Sequence, residues 1–351
     1  MTRFLDSKLK KLVAYTPGEQ PVNMSELIKL NTNESPFPPA PGVIEILKNG
    51  EVEKLRLYSD PDCKQLVNAI AEYHGINTQQ VFPGNGSDEV LAFIFHGLCP
   101  NGAAFADITY GFYPVFGEMF DVNCQIVPLD YDFSINVEDY EGIKGTVFIA
   151  NPNAPTGLCL PLSDIETLVG QDSDRLVVVD EAYIDYGGES ALSLLDAYDN
   201  LLVVRTLSKS RSLAGARVGY ALGSEDLIKD LNTMKFSFNP YNINRLSIIA
   251  GAEAMKDTGY FDECRTKVME NREYTAIELK KLGFNVLPSK ANFIFAGDNP
   301  KTNGIDYFSR LRECGILVRH FSSPRTCNYV RITIGTAEQM QRLVQITKEV
   351  L

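Results

Sequence analysis

The sequence has no CxxC pair, and its seven cysteines (Cys63, Cys99, Cys124, Cys159, Cys264, Cys314 and Cys327) are scattered and odd in number. That spacing excludes a zinc-ribbon type of site and a disulfide framework, and reduced thiols in a cytosolic protein are the simplest account. Long apolar runs are missing too. The longest stretch, Leu91 to Cys99 around His96, is far too short to span a bilayer. Met1 to Lys11 is mixed polar and lacks the apolar centre of a secretory signal. Cations are the minority charge, 33 Lys and Arg against 45 Asp and Glu, for a formal net charge of −12. Nonspecific nucleic-acid binding needs clustered cations and is not expected. Repeats, low-complexity tracts and Gly/Ser linkers are absent as well. The expectation is a soluble cytoplasmic protein with neither membrane nor nucleic-acid partner. The three histidines, His74, His96 and His320, stand apart and read as surface or satisfied core residues.

What is present is an ordinary globular composition, 44% hydrophobic and 22% charged, over 351 residues. Such a length buries a large core and usually means two domains. Residues 1–30 show no strong period and read as an arm with a short helix, and Ser35 to Pro41 is a Pro-rich linker. From Tyr58 to about Tyr241, helical and strand patterns alternate. Strands are expected at Ala103–Asp107, Cys124–Pro128, Thr146–Ala150, Leu176–Asp180, Leu201–Thr206 and Val218–Leu222. This order predicts an α/β fold with a mostly parallel sheet between helices. After Asn244 one long helical segment runs from Arg245 to Leu282. Strands at Asn292–Ala296, Ile316–Arg319 and Tyr329–Ile334 and a closing helix from Thr336 follow, which suggests a smaller α+β domain. The expected division is an arm (1–34) joining the small domain, a large domain (35–244) and a small domain (245–351).

Three motifs each follow their own strand. Lys209 lies in Thr206-Leu207-Ser208-Lys209-Ser210-Arg211, just after the apolar run Leu201–Val204, with Arg217 eight residues on. A lysine there can lose its proton and attack an aldehyde, because its pKa falls readily on burial near other cations. Ser208 and Arg217 are then placed to grip a phosphate. A lysine in a strand-to-helix loop is more often a solvated surface residue, so the motif needs company. Leu176 to Asp180 is a β-branched run ending in an acid, at the strand end where open α/β sheets place their chemistry. Asn151-Pro152-Asn153-Ala154-Pro155-Thr156-Gly157 enforces a tight turn in which a cis X-Pro bond is possible. A fourth turn, Gly84 to Glu89, lacks the third glycine of a dinucleotide loop and follows no early βαβ strand, so a nicotinamide site is not expected. It reads as a helix N-terminus whose free N–H groups hold a phosphate. The carboxylates of Asp88 and Glu89 must then point away.

Together these motifs resemble the pyridoxal-phosphate aminotransferases of the aspartate aminotransferase fold, and within them the histidinol-phosphate branch. The resemblance runs nearly end to end. It includes Ala14 to Gly18, Leu30 to Pro36, Tyr58 to Pro61, Gly84 to Glu89 and Tyr329 to Gly335. It implies the cofactor pyridoxal 5'-phosphate, joined to Lys209 through an imine. Lys209 would also shuttle the α-proton. Asp180 would pair with the pyridinium nitrogen, and Tyr183 with Asn151 or Asn153 would meet the ring oxygen. Tyr110 would cover the ring face. Gly86, Ser87, Asp88, Ser208 and Arg217 would hold the phosphate, with Tyr58 reaching the phosphate of a neighbouring subunit in a homodimer. Tyr15 and Asn33 would close over the substrate, Arg331 would clamp the glutamate carboxylate, and Arg319 would meet a substrate phosphate. One departure stands out. Many members carry asparagine directly before Pro-Thr-Gly, where this chain has Ala154. The implied reaction moves an amino group from histidinol phosphate to 2-oxoglutarate. The alternatives are an aromatic amino-acid aminotransferase, a threonine-phosphate decarboxylase on the same fold, and a ligand-sensing regulator. The last is disfavoured by the retained Lys209 and the lack of a basic N-terminal DNA-binding module.

Overall fold

The computed structural model describes residues 3–21, 27–49 and 51–351; of the expected arm, residues 1–2 and 22–26 lie outside the described residues. A short strand, β1 (Ile28–Lys29), precedes a central sheet of seven: β2 (Val81–Gly84), β3 (Ala103–Ala106), β4 (Cys124–Val127), β5 (Thr146–Ala150), β6 (Val177–Asp180), β7 (Leu201–Thr206) and β8 (Gly219–Gly223). Their spatial order is β2-β8-β7-β6-β5-β3-β4. All pairings are parallel except those of β8, which runs antiparallel to both β7 and β2.

Every residue of β5, β6 and β7 is buried. The β-branched runs that looked uninterrupted in sequence are therefore sheet strands covered on both faces. Alternation sorts their side chains. Val177, Val179, Leu201 and Val203 join Val43, Leu66 and Ile70 of one helical layer. Val178, Leu202 and Val204 join Leu91, Phe95 and Phe116 of the other.

Two expectations need correction here. The Gly84–Glu89 turn does follow a strand, β2, hidden in sequence because Pro83 and Gly84 break the pattern. Proline is tolerated there because β2 is an edge strand. Nor is Arg245 to Leu282 a single helix. Asp257 ends the helix Arg245–Lys256 and caps the next, Thr258–Lys281, its carboxylate accepting from Tyr260 N at 3.0 Å. The first of these helices buries Ile248, Ala250, Ala252 and Ala254 in the same core as Val43, Leu66 and Leu207, on the central sheet's side.

The C-terminal part adds β9 (Asn285–Val286), β10 (Phe293–Gly297), β11 (Ile316–Leu317), β12 (Arg319–His320) and β13 (Tyr329–Thr333). An antiparallel sheet forms in the order β12-β13-β10-β9. The strand expected at Ile316–Arg319 splits at Val318: β11 pairs in parallel with β1, while β12 pairs with β13. The N-terminal arm is thereby stitched to the last third of the chain. Among the described residues, no helix is long and apolar enough to cross a membrane.

Candidate active site

The sheet register places Ala150 beside Asp180 and Asp180 beside Val204, so β5, β6 and β7 end together. A cavity of about 90 Å³ opens at these ends, lined by Ser87, Asp88, Tyr110, Ala154, Asp180, Tyr183, Ser208, Lys209 and Arg217 among others. Residues from four separated motifs thus meet in one place, as the sequence reading expected. Asp180 is buried there. Its Oδ2 accepts from the Tyr113 hydroxyl at 3.0 Å and its Oδ1 from Ala182 N at 3.3 Å. Burial pushes its carboxyl up to about 6, against the pull of those two donors. A buried acid whose ionisation is held back gains most from a cationic partner, as a protonated pyridine nitrogen is.

Tyr113 was not singled out from the sequence. It sits 67 residues from Asp180, within a run of aromatics, and no local pattern marks it. Tyr113→Phe is expected to destabilise the cofactor-free protein by about 1.5–3 kcal/mol at pH 8, the range for a hydrogen bond to a charged group. Urea unfolding checks this, and unchanged stability at that pH would count against the contact.

Lys209 Nζ lies 5.9 Å from the Tyr183 ring centroid and donates to the Thr32 carbonyl at 3.3 Å. Its ammonium is pushed down to about 8, first by burial and then by the charge of Arg331, with Glu34 and Asp88 opposing. A minority of this amine, on the order of a tenth to a fifth, is therefore neutral near physiological pH and available as a nucleophile, far more than for an ordinary lysine.

The turn expected to cradle a phosphate lies at the start of the helix Ser87–Gly97, whose first-turn N–H groups have no partner within the helix. Gly86 serves by its size, not as a donor. Its own N–H goes to Gly84 O at 2.9 Å, and at φ 81° a Cβ would strike the Arg217 guanidinium. Ser208 closes the cradle, held by Thr206, whose hydroxyl donates to Ser208 Oγ at 2.9 Å. Of the two acids expected to point away, only Glu89 does, accepting from Asn85 N and Asn242 Nδ2, each at 2.6 Å. Asp88 faces the cavity. It is neutralised there by Arg217 Nη2 at 2.7 Å and also accepts from the Tyr110 hydroxyl at 2.6 Å. Asp88 thus fixes both Tyr110 and Arg217 at the cavity wall.

Neither asparagine takes the expected place against a ring oxygen. Asn151 spends its amide on Leu160, accepting from N at 2.7 Å and donating to O at 3.2 Å. Asn153 is likewise used up, on Thr109, Ile108 and Thr156. Both amides hold the loop together, and Ala154 offers the cavity only a methyl group. Tyr183 alone of the expected partners remains. Its hydroxyl accepts from Asn33 Nδ2 at 3.0 Å, and Asn33 is fixed by Thr333, whose hydroxyl donates to Asn33 Oδ1 at 3.1 Å. Asn33 thus acts through Tyr183.

A second cavity of about 500 Å³ shares Tyr110, Ala154, Tyr183 and Lys209 with the first and reaches out to Tyr15, Asn33, Arg319 and Arg331. Arg331 donates to Asn31 O at 3.1 Å, while its Nε, buried, has no partner. Arg319 donates to Thr16 O at 3.2 Å and lies near Pro17 O, so the arm is tied down over the cavity. Tyr15 stacks on Phe112 with ring centroids 4.2 Å apart. Tyr58 is 79% exposed and stacked on Tyr241; it lines neither cavity of its own chain.

This donor set fits pyridoxal phosphate: a nucleophilic amine, a buried acid and a tyrosine hydroxyl around one cavity, with a helix terminus, a serine and an arginine. Comparison with known proteins points the same way. The family description "Aminotransferase class I and II" matches residues 25–346. The histidinol-phosphate aminotransferase of Brachyspira hyodysenteriae is 50% identical over 354 aligned residues, covering 100% of this chain and 99% of that protein. That of Pseudomonas putida (strain W619) is 50% identical over 346 residues, covering 98% and 99%. The solved structure of the Sinorhizobium meliloti histidinol-phosphate aminotransferase in complex with pyridoxal-5'-phosphate shares the fold. Its TM-score is 0.86 at 22% identity, over 100% of this chain and 98% of that one. The chain therefore belongs to the class I and II aminotransferase family, on its histidinol-phosphate branch.

Proposed function

We propose that this chain moves the amino group of L-histidinol phosphate to 2-oxoglutarate, giving imidazole acetol phosphate and glutamate. The observation that carries this reading is the pair Arg319 and Arg331 at one cavity that is continuous with Lys209. Guanidinium pairs with both phosphate and carboxylate, so one pair of arginines serves a phosphate ester in the first half-cycle and a dicarboxylate in the second.

When bound, pyridoxal phosphate supplies an electron sink for the substrate's α-carbon and a carrier for the nitrogen. The chain's residues do the rest. Lys209 Nζ would hold the cofactor and, when free, would move the proton at the substrate's α-carbon as general base. Asp180, held by Tyr113, keeps the ring nitrogen protonated. The Tyr183 hydroxyl, aligned by Asn33, meets the ring oxygen that Ala154 cannot reach. Ser87, Asp88 N, Ser208 and Arg217 hold the phosphate. Tyr15 and Tyr110 shield the reacting atoms from water.

We propose that the boundary expected at residue 244 lies instead at the break at Asp257, because Ile248, Ala250, Ala252 and Ala254 belong to the core on the central sheet's side. A cofactor-holding unit then runs from residue 35 to Asp257, and a smaller unit combines the arm with residues beyond it. Exposed Leu57, Tyr58, Phe238 and Tyr241 support a homodimer in which Tyr58 reaches the phosphate held by the partner subunit. A cytoplasmic location suits the free cysteines.

Amine donors separate the readings. Purified protein with 2-oxoglutarate is expected to form glutamate from histidinol phosphate far faster than from phenylalanine, with parallel-line kinetics. Equal rates from phenylalanine, or carbon dioxide released from threonine phosphate without an oxo acid, would overturn the proposal.

A further inference from the structure

Adjacent side chains on a strand face opposite ways. Because Asp180 faces the cofactor cavity, Glu181 turns to the far side of the sheet, where its side chain is fully buried. Four donors meet its carboxylate there: Ser190 Oγ at 2.7 Å, Ala191 N at 2.7 Å, and Arg205 Nε and Nη2 at 3.0 and 2.8 Å. Arg205, on β7, continues the chain of contacts through Nη1 to Asp185 Oδ1 at 3.2 Å. The other oxygen of Asp185 accepts from Ser210 Oγ at 2.5 Å. Ser210 is the residue after Lys209.

The contacts therefore run from the neighbour of Asp180 to the neighbour of Lys209, and the arc they brace, Glu181 to Asp185, carries Tyr183 at its middle. A buried guanidinium with two carboxylates is poor value as a source of stability alone, since desolvation offsets the attraction. Its return is geometric: it fixes a unique arrangement of the groups it joins.

We infer that Glu181, Arg205, Asp185 and Ser210 are positioning residues, which set from behind the sheet the spacing of Lys209 against Asp180 and Tyr183. The inference rests on the proposed function. None of the four lines the two site cavities, so the network acts through its neighbours.

The test is Ser210→Ala in the holoenzyme, which deletes one hydroxyl. Turnover is expected to fall about tenfold with KM within about twofold, a loss typical of a reacting group displaced by a fraction of an ångström. The cofactor's visible circular dichroism, which an achiral ring acquires only from a fixed asymmetric surrounding, is expected to weaken per bound cofactor. The melting temperature of the cofactor-free protein is expected to fall by no more than about 2 °C, on the order of 1.5 kcal/mol at this chain length, as for loss of one hydrogen bond to a charged group. Asp185→Ala added to Ser210→Ala should cost no more than Asp185→Ala alone, because the Ser210–Asp185 bond is already lost in either. Unchanged turnover and dichroism in Ser210→Ala would overturn the inference alone, as would additive losses or a melting-temperature drop that accounts for them. A wild-type protein with no visible cofactor band would overturn the functional proposal and this inference with it.

Discussion

Replacing Lys209 by alanine is expected to abolish steady-state turnover, by at least about 10³-fold, since general-base catalysis and covalent attachment are lost together. Two readouts check it. Glutamate formation from histidinol phosphate should vanish, and borohydride reduction should no longer leave the cofactor's mass on the protein. Cofactor still fixed covalently in the variant would sink the assignment of this amine. The wild-type protein should show the matching pH dependence. With an ammonium pushed down to about 8, capture of added pyridoxal phosphate by cofactor-free protein should accelerate as pH rises towards 8 and level off above it. The same shift links to folding. The unfolded chain holds this proton up to its ordinary 10.5, so the contribution of Lys209 to stability is complete above 10.5. It is lost as pH falls through 8.

Asp180→Asn is the second large effect. An amide cannot hold the pyridine nitrogen protonated, and turnover is expected to drop by about 10²–10³-fold, as for loss of a group that stabilises developing charge. The signature is specific. Without cofactor, the wild-type carboxyl at about 6 lies above its ordinary 3.8. Its contribution to stability is therefore full below 3.8 and is lost as pH rises through 6. The asparagine variant should lose this pH dependence, so cofactor-free wild type and variant should converge or cross between those values in urea unfolding. Turnover within a few-fold of wild type would refute the pairing of Asp180 with the ring.

Much of this site could be read from the chain alone, for a physical reason. Lys209, Asp180 and the Asn151–Gly157 turn each sit at the end of a strand buried on both faces, and such strands write themselves as unbroken apolar runs. What stayed hidden depends on partners distant in sequence or on which atoms are already engaged. Tyr113 is linked to Asp180 across 67 residues. The asparagines bear the right side chains for a ring contact, yet their amides are consumed by Leu160, Thr109, Ile108 and Thr156. The inward turn of Asp88 depends on Arg217, 129 residues away. The break at Asp257 did leave a trace, since an aspartate two residues before Gly259 is an ordinary helix-start signal. Within a Glu- and Lys-rich helical stretch it was outweighed.

Asn33 takes its position from Thr333, and β1 from β11, so one wall of the catalytic crevice joins segments that lie 300 residues apart at the Asn33–Thr333 contact. During synthesis the central sheet can collapse as soon as its strands leave the ribosome, since domains form as units in order of emergence. The crevice itself must wait until the chain has been made through Thr333. A nascent chain stalled before Tyr329 would expose the lysine with no wall to align its tyrosine, so capture of the vitamin is a late event in the life of the molecule.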